Sequence, residues 1–301
     1  MSHGLEQYQV SYYSDAELFL DYFAKTVAKV WVLDCSIRER MPRVCEEPIL
    51  WMSNTLDEPD TIFKYRSASI LLQTILHYVG KGTTQVECGC HTQLISFYTP
   101  IKRSLQTSFA MTAAHILSQK GRTLYLNLEG YSGFSQLLSG YYSKDISDFI
   151  YSIYHSKENF PLNTTNFIYR LGAVDVIPPV LNPINLREIS RDMWLHMLTQ
   201  LQRSGLYEYI ILDLSDFMEG IFDILKYSQF VFSLSKSDEK AEEKWRQYRL
   251  LLEGLGLEKL WEDTHKVVVP HQLGMPMNLE AYEPGNFTDY VAKILGEVGA
   301  L

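Results

Sequence analysis

The sequence predicts an α/β protein whose larger, carboxyl-terminal part is a three-layer, doubly wound parallel sheet. Three observations predict it. Short apolar runs of strand length alternate along the chain with segments of helical periodicity, the pattern of parallel α/β domains. With 46% hydrophobic and 13% aromatic residues, the 301-residue chain has ample material for a buried core and lies far from the composition of disordered chains. No internal repeat and no low-complexity tract interrupts the alternation. At roughly 150 residues per domain, the length suggests two domains.

Taken in order, Tyr8 to Tyr13 reads as a short strand. Ser14-Asp15 then opens a helix to Phe23, because both side chains can cap free N–H groups, and Leu18, Phe19, Leu20, Tyr22 and Phe23 supply its apolar residues. Val30 to Leu33 is a buried strand ending at Asp34, Ile49 to Met52 a second ending at Ser53, and Ile62-Phe63 a third leading to Lys64. Ser67 to Val79 reads as a helix. The polar, glycine-bearing stretch Gly80 to Cys90 marks a boundary, which gives an N-terminal unit 1–82, a linker 83–91 and a larger unit 92–301.

The alternation restarts there with greater regularity. Strands are expected at Leu94 to Tyr98, Thr123 to Leu128, Val174 to Ile177, Tyr209 to Leu212, Phe230 to Leu234 and Val267 to Val269. Helices are expected at Thr107 to Gln119, Asp145 to Tyr154, Ser190 to Ser204, Glu219 to Leu225, Glu239 to Leu255 and Phe287 to Leu295. In the long helix from Glu239, Trp245, Tyr248, Leu251 and Leu252 form the apolar face. In the last, Tyr290, Val291, Ile294, Leu295 and Val298 share a face. Its polar side sets Lys293 against Asp289 and Glu297, so docking on the core is expected rather than binding to a membrane.

Charge narrows the function. There are 27 Lys+Arg against 36 Asp+Glu, a net charge of -9, and neither half hides a basic domain: 8 basic against 12 acidic residues fall in 1–90, and 19 against 24 beyond. A surface that wraps nucleic acid normally shows a basic excess, so no nucleic-acid partner is expected. No apolar run is long enough to span a bilayer, and MSHGLEQYQV is no signal peptide, so a cytoplasmic protein without an integral membrane segment is expected. Four cysteines, Cys35, Cys45, Cys88 and Cys90, make no disulfide framework in a chain this long. Cys88, Cys90 and His91 fall short of the four ligands of a tetrahedral zinc site. His115, His155, His196, His265 and His271 lie scattered with no nucleophile elbow nearby, and read as structural or surface residues.

In doubly wound sheets ligands sit beyond the carboxyl ends of the strands. After the first strand of the larger unit comes Thr99-Pro100-Ile101-Lys102-Arg103-Ser104-Leu105-Gln106-Thr107-Ser108, leading straight into a helix. The layout is that of a phosphate-binding loop, which needs glycines for backbone approach, a Lys for the β and γ phosphates and a Ser/Thr hydroxyl for Mg²⁺. Only the hydroxyl, Thr107, is present.

From Gln93 to about Val269 the chain resembles the MinD/ParA/CpaE group of P-loop ATPases, whose loop reads K-G-G-x-G-K-[ST]. Under that resemblance Ile101 stands for the signature Lys, Lys102, Arg103 and Leu105 for the three glycines, and Gln106 for the phosphate Lys, while Thr107 is kept. Asn127 and Glu129 fall where the group carries its D-x-D acids, and Asp213 where it carries the Walker B Asp. The resemblance thus implies a vestigial nucleotide site of Lys102, Arg103, Ser104, Gln106, Thr107, Ser108, Asn127, Glu129 and Asp213. ATP or ADP with Mg²⁺ on Thr107 and Asp213 is the candidate cofactor, and no residue is assigned a catalytic role. Three side chains in place of glycines crowd the loop, and a neutral amide replaces the charge that clamps the phosphates.

In the N-terminal unit Asp34, Ser53 and Lys64 follow three successive strands and resemble the phosphoacceptor Asp, the Ser/Thr and the Lys of a receiver domain of flavodoxin-like fold. The receiver's acidic pair, first strand and first helix are missing, and Tyr65 replaces its usual Pro. That first strand lies at the centre of a receiver sheet, so its loss either closes the gap by new pairing or leaves an edge open to a partner. A truncated receiver followed by a degenerate MinD/ParA-like domain resembles the TadZ/CpaE group of Tad (Flp) pilus assembly. The resemblance implies a non-catalytic scaffold or localisation protein that acts by protein contacts with pilus-assembly machinery, with a homodimer and a place beside polar membrane complexes. A nucleotide-binding ATPase with a rearranged loop and slow or no hydrolysis is the first alternative, and a receiver-based signalling adaptor the second.

Overall fold

A computed structural model of the chain describes residues 11, 13–23, 30–41, 49–54, 61–65, 71, 75, 92–134, 142–155, 164–270, 273 and 279–301. Among the described residues, the first element of the N-terminal unit is helix α1 (Ala16–Phe23), capped as expected by Asp15, whose Oδ1 accepts from the Glu17 and Leu18 N–H groups at 2.8 and 3.1 Å. Strands β1 (Trp31–Asp34), β2 (Ile49–Ser53) and β3 (Thr61–Phe63) pair in parallel in that order. Phe19, Phe23, Trp31 and Leu33 make a small core of their own, while buried Phe63 joins the main core of the larger unit. The expected strand Tyr8 to Tyr13, the helix Ser67 to Val79 and the linker lie largely or wholly outside the described residues.

The larger unit is a seven-stranded sheet in the order β10-β9-β4-β8-β5-β7-β6, parallel except for its last strand. The strands are β4 (Gln93–Phe97), β5 (Thr123–Asn127), β6 (Tyr169–Leu171), β7 (Val174–Ile177), β8 (Tyr209–Asp213), β9 (Phe230–Ser235) and β10 (Thr264–Val268). Side chains of successive residues point to opposite faces, and the two cores divide accordingly. Leu94, Leu124, Leu126, Ile210, Leu212 and Val231 enter one, and Ile95, Phe97, Tyr125, Ile211, Phe232 and Leu234 the other.

The first face is covered by α3 (Ile146–His155), α4 (Pro183–Glu188), α5 (Arg191–Ser204), α6 (Ile221–Tyr227), α7 (Glu239–Gly254) and α8 (Glu258–Glu262). The second is covered by α2 (Gln106–Leu117) and α9 (Asn286–Glu297). These are the three layers that the alternation of strands and helices predicts. Helix α2 is buried nearly all round, whereas α9 sends Phe287, Val291 and Leu295 into the core and ties Tyr290 Oη to the Val268 carbonyl at 3.0 Å. It docks as expected. None of the described helices is long and apolar enough to cross a membrane.

Three of the elements named above were not foreseen. Strand β6 is three residues of mixed polarity, α8 is a single turn, and α4 is a short helix announced only by its Asn182 cap and Pro183. In α7 the buried stripe is Ala241, Trp245, Tyr248 and Leu252, while Leu251 is half exposed. Spacings of four, three and four from Ala241 keep the stripe on one side, and Leu251 sits one position out of phase.

Candidate functional site

Strand β4 is central, and the chain leaves it on one side for β5 and returns on the other at β9, so the order reverses at its carboxyl end. That is where a doubly wound sheet leaves a crevice. Residues 98–105 cross it and enter α2.

The path of this loop is one that glycine usually serves. Arg103 has φ 59° and Leu105, just before α2, has φ 67°, both in the left-handed region where a Cβ crowds the backbone. Two of the three residues that the resemblance sets at glycine positions thus hold a backbone that suits glycine, and carry strain there. Lys102, Arg103 and Leu105 face solvent, while Ile101 and Ser104 turn inward. Thr99 Oγ1 anchors the entry, donating to the Leu234 carbonyl at 2.5 Å and accepting from the Ile101 N–H at 3.0 Å. Lys102 bridges to Asp216 at 2.9 Å, and Asp216 also accepts from Tyr98 Oη at 2.7 Å.

Behind the loop lies Asp213, at the end of β8 and fully buried. Its oxygens are taken by neutral donors, Thr107 among them. Gln106 Nε2 donates to Oδ1 at 2.5 Å and to the Leu214 carbonyl at 2.9 Å, while Tyr125 Oη and Asn127 Nδ2 donate to Oδ2 at 2.9 and 3.1 Å. Burial pushes the Asp213 carboxyl above the usual range, and hydrogen bonds from Gln106, Thr107 and Tyr125 oppose that shift. Burial and the facing Asp213 together hold the Tyr125 phenol far above its ordinary range, so it stays a donor.

Most of the predicted residues thus meet here. Gln106, Thr107, Asn127 and Asp213 form one network, and Glu129 stands at its edge, its own N–H bonded to Asn127 Oδ1 at 3.1 Å. Burial, and next the charge of Asp213, push the Glu129 carboxyl up. Ser104 Oγ is buried with no hydrogen-bond partner among the described residues, and Ser108 is half buried on the first turn of α2. Tyr125 and Asp216 were not singled out from the sequence: a Tyr inside a buried strand and an Asp beyond a strand end carry no motif of their own.

This arrangement does not suit Mg²⁺ or a triphosphate. Magnesium requires several oxygen ligands in octahedral array, and here an N–H donor lies against Asp213 Oδ1. Glu129, Asp213 and Asp216 stand against Lys102 and Arg103 around the crevice, so the charge there does not favour phosphate oxygens. Among the described residues no group of three His, Cys, Asp or Glu side chains is placed to hold a metal.

In the N-terminal unit, Lys64 Nζ and Asp34 Oδ2 meet at 3.3 Å, and Ser53 is buried at the end of β2 between them in strand order. The Ser36 N–H, donating to Asp34 Oδ1 at 2.9 Å, is the main cause holding the Asp34 carboxyl below its ordinary range, with Lys64 adding to it. Cys45, Cys88, Cys90 and His91 lie outside the described residues.

No protein-family model matches the chain, and no curated protein sequence matches it. Solved structures do. A ParA family ATPase from Chlorobium tepidum aligns with a TM-score of 0.50 at 14% identity, over 68% of this chain and 81% of its own. A plasmid partition protein from Borrelia burgdorferi aligns with a TM-score of 0.50 at 13% identity, over 69% of this chain and 98% of its own. At these identities the likeness is one of fold: the larger unit has the α/β architecture of ParA/MinD-type P-loop ATPases, with its mostly parallel central sheet.

Proposed function

We propose that this chain uses a ParA/MinD-type fold as a non-catalytic module that acts through protein contacts. One observation carries the reading: the position from which a Lys would reach phosphate is held by Gln106, whose amide is spent on Asp213 and the Leu214 carbonyl. The carboxylate, buried and satisfied by neutral donors, is then not free to hold a metal or to help polarise a phosphoryl group. The order of the units, 1–82, 83–91 and 92–301, supports a scaffold or localisation role like that of the TadZ/CpaE group. Pilus-assembly proteins are then its partners, a homodimer its working form, and the cytoplasm beside polar membrane complexes its place.

Calorimetric titration with Mg-ATP and Mg-ADP tests the reading, and no heat of binding is expected. Tight binding that Thr107→Ala or Asp213→Ala abolishes would overturn it. A second reading, nucleotide binding without turnover, draws on the left-handed backbone at Arg103 and Leu105, which keeps the loop's path into the α2 N-terminus. The same titration decides between them. The Asp34–Lys64 pair supports, more weakly, a signalling adaptor. A single added phosphoryl mass after incubation with acetyl phosphate is the outcome that favours it.

A further inference from the structure

We infer that Gln106 is an internal lock, a side chain that does for the loop 99–105 what a bound ligand would otherwise do. The inference rests on the non-catalytic reading and deepens it.

The loop needs something to hold it. Arg103 and Leu105 both sit in a backbone region that L side chains avoid, and such conformations persist only where the surroundings over-determine them. The ties are few in kind. Thr99 fixes the entry through the Leu234 carbonyl. Lys102 reaches Asp216, but both side chains are about half exposed, at 55% and 52%, and solvent screens such a pair. Gln106 fixes the exit through two bonds that are both buried, and these cross from the first residue of α2 to the end of β8. In a buried setting a hydrogen bond from a neutral amide to a carboxylate is not screened.

The hold is mutual. Asp213 is wholly buried, and a buried carboxylate is tolerable only while its oxygens accept hydrogen bonds. Gln106 donates to Oδ1 from within the core, so the amide supports the charge and the charge fixes the amide. Unlike a lysine held by a phosphate, this pair is complete within the chain. The loop's shape, and the outward display of Lys102, Arg103 and Leu105, then do not depend on any small molecule in solution.

Limited trypsin digestion of the full chain reads the hold directly, because the loop offers cleavage after Lys102 and Arg103, and cleavage of a folded loop tracks its local opening. Fragments are located by mass spectrometry, with the exposed Arg246 on α7 as reference, and amide exchange is followed at Ile101 and Phe109. Gln106→Met keeps the length and removes the donors, and Gln106→Asn is a second variant in case the first folds poorly. In both, cleavage at 102 and 103 is expected to rise at least tenfold over wild type while cleavage at Arg246 stays within twofold. Asp216→Asn, which breaks only the surface bridge, is expected to change the loop less than threefold.

If the Gln106 variants leave loop cleavage within twofold of wild type while wild type ignores Mg-ATP, the lock fails and the non-catalytic reading stands. If Mg-ATP slows loop cleavage in wild type, ligand rather than Gln106 holds the loop, and both fail. A rise at Arg246 in step with the loop overturns the lock by showing global loosening.

Discussion

Tyr125 and Asp213 meet in the buried interior between adjacent strands, the phenol donating to Oδ2 at 2.9 Å while its ring stacks on Phe134 at 5.8 Å. The ring belongs to the core and the hydroxyl to the site, so the two roles can be separated by one substitution. Tyr125→Phe keeps the packing and removes one donor from Oδ2, to which Asn127 still donates. Loss of a hydrogen bond to a buried charge costs about 1–3 kcal/mol. The cost should depend on pH. Asp213 has its folded-state pKa raised, so its contribution to stability is full below the unfolded value and is lost as pH rises through the folded one. Removing a donor raises that pKa further. Urea unfolding of the variant should therefore approach wild type near pH 4 and fall below it at pH 8; equal loss at both would refute the assignment.

The left-handed residues before α2 make a prediction of opposite sign. At Leu105 a Cβ in this conformation costs roughly 1–2 kcal/mol, and glycine's extra freedom in the unfolded chain gives back about 0.5–1 kcal/mol of any gain. Leu105→Gly should thus stabilise by up to about 1.5 kcal/mol, and Leu105→Val, branched at Cβ, should destabilise. Thermal unfolding measures both. Neither variant should bind Mg-ATP, because Gln106 still faces Asp213.

How much of this was legible beforehand depends on the distance in sequence over which each feature is decided. Strand and helix order is local, so β4, β5, β8, β9 and α2 came out within a residue or two at most ends. The resemblance of residues 99–107 to a phosphate loop singled out Gln106 but not its partners. Its partner Asp213 lies 107 residues away, and which way an amide points is settled only when β4 and β8 pair. Asp175 shows the same limit. It stands within the wholly buried strand Val174–Ile177, where it accepts from Arg122, Arg170 and Tyr207, contacts that come from three other segments. An acid within so apolar a run was the available signal. Strand β6 pairs antiparallel with β7 across a tight turn at Gly172, φ 58°, and was too short and too polar to register as a strand.

Two glycines with nearly the same backbone separate conformation from contact. Gly220 has φ 72° and Gly256 φ 69°; an added Cβ at Gly220 would lie 2.6 Å from Arg191 Cγ, whereas at Gly256 nothing lies within 4 Å. Gly256→Ala should cost only the conformational share, about 1–2 kcal/mol. Gly220→Ala should cost that amount and about 1 kcal/mol more, since Arg191 must shift and its ion pair with Asp223 loosens. The difference between the two in denaturant unfolding isolates the clash. Equal losses would mean that Arg191 moves aside freely.

His115 ties the helix that starts at the loop to the segment before α9, its Nε2 lying 2.9 Å from the Leu279 carbonyl. A carbonyl only accepts, so Nε2 carries a proton. Burial holds the His115 pKa below its ordinary 6.5, and the Leu279 bond opposes that shift without cancelling it. For a base with a lowered folded-state pKa, the unfolded chain binds more protons in the window just below 6.5. Stability is therefore full above that value and is lost as pH falls through it toward the folded pKa. His265 is lowered in the same direction by its own burial and adds to the slope. His115→Gln keeps a donor for Leu279 but cannot titrate. It should be somewhat less stable than wild type at pH 7.5, with a visibly shallower fall between pH 7 and 5 in urea unfolding, the residue of the slope belonging to His265. Parallel curves for the two proteins would remove His115 from the acid response and leave the contact to Leu279 as packing alone.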